Sequence, residues 1–313
     1  MPSRLRVAGG IAATVALACV GPACWLTSSF DALVDAGAPT ASDAGADATS
    51  DARLEGGSVD APVDVPNDAV GEAPAPQDAG CLTTDYVSSV MADQPLAYWR
   101  LDEDAGTIAT DSTGGHYDGT YSNGVTLGVP GILAGDTAAS FDGDGGYVDI
   151  GAHLAFLQEA AFSIEAWIRP SRIDGAFRGV VSNESPSISQ RFGYLLYIER
   201  PADGGVVSGF ERWNGGMSNP TVHMGDVAQG AWTHVVGTFD GTNEEYFVNG
   251  SPVSADNGPI KITTTGSFVI GALNSAATPT FFAGTIDEVA VYNHALAPRC
   301  VEAHYNLALG RSP

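Results

Sequence analysis

The sequence predicts an all-β fold, a two-sheet antiparallel sandwich over residues 81–313 that follows a disordered N-terminal tether. Three observations carry this expectation. Beyond Cys81 the chain reads as short runs in which apolar and polar residues alternate, the period of a half-buried strand. Turn formers separate the runs, in a chain with 39 Gly and 18 Pro. The strands are not interleaved with helical segments as βαβ units require, which excludes a parallel sheet.

Residues 1–18 have the three-part layout of a secretory signal: Arg4 and Arg6, an Ala-rich apolar stretch, then small residues. That stretch is shorter than the roughly 20 apolar residues of a membrane span. Ala16-Leu17-Ala18-Cys19 resembles a bacterial lipobox, with Ala16 where that pattern prefers a large aliphatic residue. The resemblance implies a lipidated Cys19, with cleavage near Ala23 as the alternative. Asp-Ala dipeptides then recur from Asp31-Ala32 to Asp78-Ala79, among Pro and Gly and with almost no aromatic residue. Such a segment buries too little apolar area to offset its chain entropy, and its like charges extend it. Residues 19–80 therefore read as a lipid-attachment site and tether. They lack the spacing of an EF-hand.

The strands follow in order. Residues 96–101 form the first, ended by the acidic turn 102–106. Residues 138–141 and 147–150 flank Asp142-Gly143-Asp144-Gly145-Gly146 and read as a tight hairpin. Residues 162–169 alternate cleanly and stop at Pro170, which cannot continue a central ladder. Runs at 179–183, 194–199 and 206–213 come next. Residues 232–239 and 245–249 form a hairpin across Asp240-Gly241, and Asn249-Gly250 turns the chain again. Runs at 268–272 and 281–292 complete the series. One short helix closes the chain, with Pro298 in its first turn and Val301, Tyr305 and Leu309 on one face.

Five blocks in this order resemble the laminin-G-like, concanavalin A-like jelly-roll sandwich. They are Tyr98-Trp-Arg-Leu-Asp-Glu103, Ser140-Phe-Asp-Gly143 with Tyr147-Val148, residues 162–168, residues 232–250 and residues 284–296. The resemblance implies that the first and last strands are neighbours, and with them Cys81 and Cys300, so that a disulfide joins them; two free thiols are the alternative. It also implies a structural calcium ion, with Asp102, Asp142, Asp144 and Asp287 as candidate ligands. Domains of this family are recognition modules, with catalysis in some branches.

The remaining chemistry is bounded by exclusion. A formal charge of −24 opposes binding to nucleic acid or docking on an anionic membrane, leaving the lipid anchor as the one membrane contact. Catalytic sandwiches of this type carry Glu-x-Asp-x-x-Glu on one strand, and the chain has none. Asp287-Glu288 and Glu244-Glu245 are adjacent, which on a strand places them on opposite faces; they read as turn or surface residues. No His-Glu-x-x-His occurs. His304, four residues after Cys300, reads as solvated, and His234 as a hydrogen-bonded structural residue. Trp99, Trp167 and Trp232 read as packing residues within strands. Tyr194, Tyr197, Arg212, Trp213 and Asn214, with Phe177, read as a ligand surface of aromatic faces and polar groups. The expectation is an exported cell-envelope protein with a non-catalytic domain that binds a glycan or a surface protein. The alternatives are an adhesive envelope component without a sugar ligand and a glycoside-active enzyme.

Overall fold

The protein is described by a computed structural model over residues 80–122, 124–174, 177–185, 191–199, 207–215, 223–257, 261–263, 265–273 and 280–313. The signal, Cys19 and the tether through residue 79 lie outside the described residues. Among these residues no helix is long and apolar enough to cross a membrane.

Two antiparallel sheets form the fold, with strands numbered along the chain. The first runs β14 (Ser251–Asn257), β13 (Asn243–Val248), β12 (Thr233–Phe239), β7 (Phe162–Pro170), β16 (Ala283–Tyr292), β5 (Thr137–Asp142) and β4 (Val125–Pro130), and β1 (Ala97–Trp99) also pairs with β16. The second runs β11 (His223–Asp226), β10 (Val207–Asn214), β9 (Phe192–Glu199), β8 (Arg178–Glu184), β15 (Phe268–Ile270), β6 (Val148–Gly151), β3 (Gly119–Tyr121) and β2 (Ile108–Ala109). Their facing side chains make one core, in which Phe162 of the first sheet packs on Tyr194 of the second at 4.8 Å between ring centres.

Alternation explains the inner face, and two helices explain the outer one. Along β7, Phe162, Ile164, Ala166 and Ile168 enter the core between the sheets. Trp167 and Glu165 point the other way yet are also buried. That face is roofed by α1 (Tyr86–Ala92) and α2 (Pro298–Ala308), whose Tyr86, Val90, Val301 and Leu307 join Trp167, Val236 and Tyr292 in a second cluster. Asp85 starts α1 by accepting the Ser88 N–H at 2.9 Å, and Pro298 sits in the first turn of α2. Cys81 and Cys300 are disulfide-bonded, with Cα atoms 5.3 Å apart, which staples the approach to α1 onto α2.

The central hairpin has the geometry its sequence predicts. Gly241 lies at φ +101°, and the Asp240 carboxylate accepts the N–H groups of Thr242 and Asn243 at 2.7 and 2.6 Å. Asn249 and Gly250, at φ +52° and +75°, make the next two-residue turn.

Residues 142–146, by contrast, are not a hairpin. β5 belongs to the first sheet and β6 to the second, so this turn carries the chain across the sandwich. Asp142 Oδ1 holds it, accepting from the N–H groups of Asp144, Gly145 and Gly146 at 2.8–3.0 Å. Turn residues specify that a strand ends, not which sheet receives the next one. The final helix stops at Ala308, so Leu309 lies beyond its helical face and is exposed.

Candidate functional site

The outer face of β8, β9 and β10 gathers aromatic and charged side chains through its register. Gly193 of β9 stands opposite Glu184 of β8 and Trp213 of β10. One step on, Leu195 lies opposite Ser182 and Glu211; the next step sets Tyr197 between Gly179 and Gly209. Gly193, at φ +114°, packs tightly on β8, where a Cβ would overlap the Asn183 carbonyl. A Cβ on Gly209 would overlap the Tyr197 ring, so the glycine lets that ring lie across the neighbouring strand. Phe177, just before β8, stacks on Tyr197 at 4.1 Å and 19° between ring planes.

Arg191 closes this arrangement. Its guanidinium lies 4.4 Å from the Trp213 ring centre and 5.7 Å from that of Phe177. It contacts Glu184 Oε1 at 2.6 Å through Nη2 and 2.8 Å through Nε, and reaches Glu211 Oε2 at 3.4 Å. Glu211 Oε2 also accepts the Trp213 indole N–H at 2.7 Å. Both carboxylates are nearly inaccessible to water, at 2% and 5% exposure, whereas Arg191, Phe177 and Trp213 are half-buried and Asn214 is exposed. Burial pushes the Glu184 carboxyl up to about 7 against the pull of Arg191. Glu211 is raised for the same reason, opposed by Arg191 and the Trp213 indole. The buried Tyr197 hydroxyl has no aligned hydrogen bond, and burial and the field of Glu211 keep it protonated.

Of the residues read as a ligand surface, this face brings together Phe177, Tyr197 and Trp213; Asn214, exposed and one residue beyond Trp213 at the end of β10, takes the other face. Tyr194 and Arg212 are corrections. Both are fully buried and point into the sandwich, since residues three apart, or one apart, on a strand face opposite ways. The Tyr194 hydroxyl donates to the Leu154 carbonyl at 2.5 Å. Arg212 pairs with Glu244 of the opposite sheet and lies 3.4 Å from the Phe239 ring centre. Glu184, Glu211 and Arg191 were not singled out from the sequence. The signal was present for Glu211, which shares a face with Trp213 two residues on.

The four candidate calcium ligands divide into two places. Asp142 and Asp144 lie in the crossing turn, where Asp142 is engaged by backbone N–H groups and Asp144 is 80% exposed. Asp102 and Asp287 flank a cluster with Asp136 and Glu288 around Arg100. That guanidinium touches Asp102 at 2.9 Å, Glu288 at 3.3 Å, and Asp136. Asp287 Oδ2 accepts the Ile132 N–H at 2.8 Å, while Oδ1 is buried without a partner, and burial raises its carboxyl to about 7. Among the described residues no three of these carboxylates approach within 4.8 Å of one another. The four do not fit one shared calcium ion, and Arg100 supplies the countercharge where the acids are densest.

The adjacent acid pairs also need correction. Asp287, Glu288 and Glu244 are fully buried rather than at turns or on the surface. A bulge breaks β16 after Asp287, with Glu288 at φ +51°, and the Tyr98 hydroxyl donates to Glu288. His304 is likewise buried, not solvated. Its Nδ1 contacts Glu165 at 3.0 Å and its Nε2 lies 3.3 Å from Asp93. Glu165, beneath the two helices, is met by the hydroxyls of Tyr86 (3.0 Å) and Tyr292 (2.8 Å) and by His234 Nε2 (2.9 Å). This network bridges α1, α2 and three strands and is closed to solvent, which makes it structural. Asp93 also approaches Cys81 and Cys300, whose sulfurs are joined to each other and so are not thiolate ligands.

Residues 142–302 match the sequence model of the concanavalin A-like lectin/glucanases superfamily. No curated protein matches the chain in sequence. Among solved structures, the fold is similar to domain 4 of AbnA, an extracellular GH43 arabinanase of Geobacillus stearothermophilus in complex with arabinotriose. The two share 18% identity at a TM-score of 0.51, over 67% of this chain and 98% of that one. It is also similar to a Trypanosoma rangeli sialidase in complex with sialic acid, at 14% identity and a TM-score of 0.51, over 69% of this chain and 33% of that one. The chain thus spans about a third of the sialidase.

Proposed function

The chain belongs to the concanavalin A-like lectin/glucanases superfamily, and on that premise we propose that its sandwich is a non-catalytic recognition domain that binds a glycan on the outer face of β8–β10. One observation carries the reading: the half-buried Trp213 ring, its neighbour Phe177 and the polar groups of Arg191 and Glu211 share one face. Aromatic faces pack against sugar C–H groups, while charged and amide groups meet hydroxyls. The arabinotriose complex of the arabinanase domain makes an oligosaccharide the first ligand to try.

The position of Arg191 supports binding over hydrolysis. A glycosidase needs two carboxyl groups flanking the scissile bond, roughly 5–9 Å apart with room for substrate or water between them. Here Glu184 and Glu211 converge on one guanidinium, which occupies that space. The disulfide supports export, because such bonds persist in oxidising compartments.

A glycan array followed by calorimetry tests the proposal. Trp213→Ala is expected to weaken binding at least about tenfold, the factor that 1.4 kcal/mol produces, with little change in melting temperature. Silence on every glycan sinks the sugar ligand. Hydrolysis that disappears in Glu184→Gln or Glu211→Gln overturns the non-catalytic reading.

A further inference from the structure

We propose that the reduced form of the chain holds a zinc ion beneath its two helices, on Cys81, Cys300, Asp93 and His304, at the place where the disulfide stands in the oxidised form. The glycan face plays no part in this site.

The two helices bring four donors of the kind zinc takes to one place. Cys81 precedes α1, and Asp93 follows it as the C-cap. Cys300 and His304 lie one turn apart on the same face of α2. The two sulfurs and an Asp93 carboxylate oxygen all lie within 4.8 Å of one another, and Asp93 Oδ2 is 3.3 Å from His304 Nε2. All four residues are buried, at 5% exposure or less.

The setting of the histidine is a second observation. A metal-binding imidazole has its other ring nitrogen held, commonly by a carboxylate, so that the remaining nitrogen is aimed at the ion. His304 is held in this way, with Nδ1 against Glu165 at 3.0 Å and Nε2 towards Asp93. Glu165 is fixed in turn by the hydroxyls of Tyr86 and Tyr292. A neutral disulfide makes no use of a carboxylate and an imidazole at its side, whereas zinc coordinates both.

Donor type selects the metal. Two thiolates, an imidazole and a carboxylate suit zinc; calcium and magnesium take oxygen ligands instead. Reduction of the disulfide by a phosphine or a dithiol adds two electrons and two protons and yields two thiols. Zinc then takes the place of both thiol protons and of the proton on His304 Nε2, which pass to the buffer. Metal and disulfide are thus alternatives that tie the approach to α1 onto α2, the disulfide where the surroundings oxidise and the metal where thiols stay reduced. Because the donors are buried, loading accompanies the folding of the reduced chain.

The experiment uses the full chain carrying Cys19→Ser and Cys24→Ser, which leaves Cys81 and Cys300 as its only cysteines. The chain is unfolded, reduced with a phosphine and refolded without oxygen, in the presence of cobalt(II) as a visible stand-in or of zinc. The expected result is one metal per chain, with the near-ultraviolet absorption of thiolate-to-cobalt charge transfer and the visible bands of a tetrahedral site. Zinc is expected to raise the melting temperature of the reduced chain and to leave that of the oxidised chain unchanged. Asp93→Asn is expected to weaken cobalt binding at least about tenfold. A reduced chain that folds only with metal also supports the site. A reduced chain that shows no thiolate-to-cobalt absorption, whether folded or not, overturns it. So does an absorption that Cys300→Ser leaves unchanged, or cobalt bound equally by the oxidised chain.

Discussion

At the scale of single residues, two buried carboxylates show how the environment divides similar groups into different roles. Glu165 is met by two hydroxyls and two imidazoles, and although burial raises its pKa, His304 and His234 draw it well below the usual carboxylate range. Glu184 is paired with Arg191 at the end of β8, and there burial wins, lifting its pKa to about 7. The first pattern fits an architectural charge; in the second, a single ion pair does not offset the cost of burial. Glu165→Gln leaves His304 with Asp93 as its remaining anion, and breaking a buried pair in this way costs about 3–5 kcal/mol. Urea denaturation is expected to show that loss, with glycan binding retained in the folded fraction. A loss below about 1 kcal/mol would mean that the network contributes little to holding the helices on the sheet.

At the scale of elements, the strand sequence was legible because alternation and turn chemistry are local. Residues 162–169 read as a strand and form most of β7, and Asp240-Gly241 and Asn249-Gly250 stand at the turns they specify. What was not legible depends on partners distant in sequence. Nothing in Asp142-Gly143-Asp144-Gly145-Gly146 says that β6 joins the other sheet. The buried outer residues of β7 have their explanation in α1 and α2; the Asp85 cap was a local sign of α1, but that helix is only 7 residues long. For the site, Trp213 and Tyr197 were readable as aromatic residues on strands. Arg212 and Tyr194 were misplaced because strand parity was not applied to them. The contact of Arg191 with Glu184 joins a residue outside the strands to the end of β8, and no short-range pattern encodes it. The disulfide ties the two roofing elements across a separation of 219 residues. Closing so long a loop contributes at most about 5 kcal/mol in the chain-entropy account. Cys300→Ser is expected to lower the melting temperature by several degrees; an unchanged value would show that the helices hold their positions without it.

At the scale of the whole molecule, the buried ionisable groups act together on stability. His304 is raised to about 10 by Glu165 and Asp93 despite its burial, so its contribution is complete below about 6.5 and fades as pH rises towards 10. Glu184 and Asp287, raised to about 7 by burial, favour the folded state while protonated, and this advantage is lost as pH rises from about 4.5 or 4 through 7. Both effects mean that the folded protein binds more protons than the unfolded chain, so stability falls with rising pH across this window. Glu165, with a depressed pKa, works in the other direction and withdraws support as the solution becomes strongly acidic. A stability maximum near pH 4–5 is expected from denaturation at a series of pH values; a maximum above pH 8 would contradict these assignments. The central claim, that the β8–β10 face is where the domain meets its ligand, is tested most directly by following the Trp213 indole N–H in a nuclear magnetic resonance titration with a bound oligosaccharide. The account predicts that this resonance and the backbone amides of Tyr197 and Glu211 shift in step with saturation. Saturation that shifts other regions and leaves these three unmoved would contradict it.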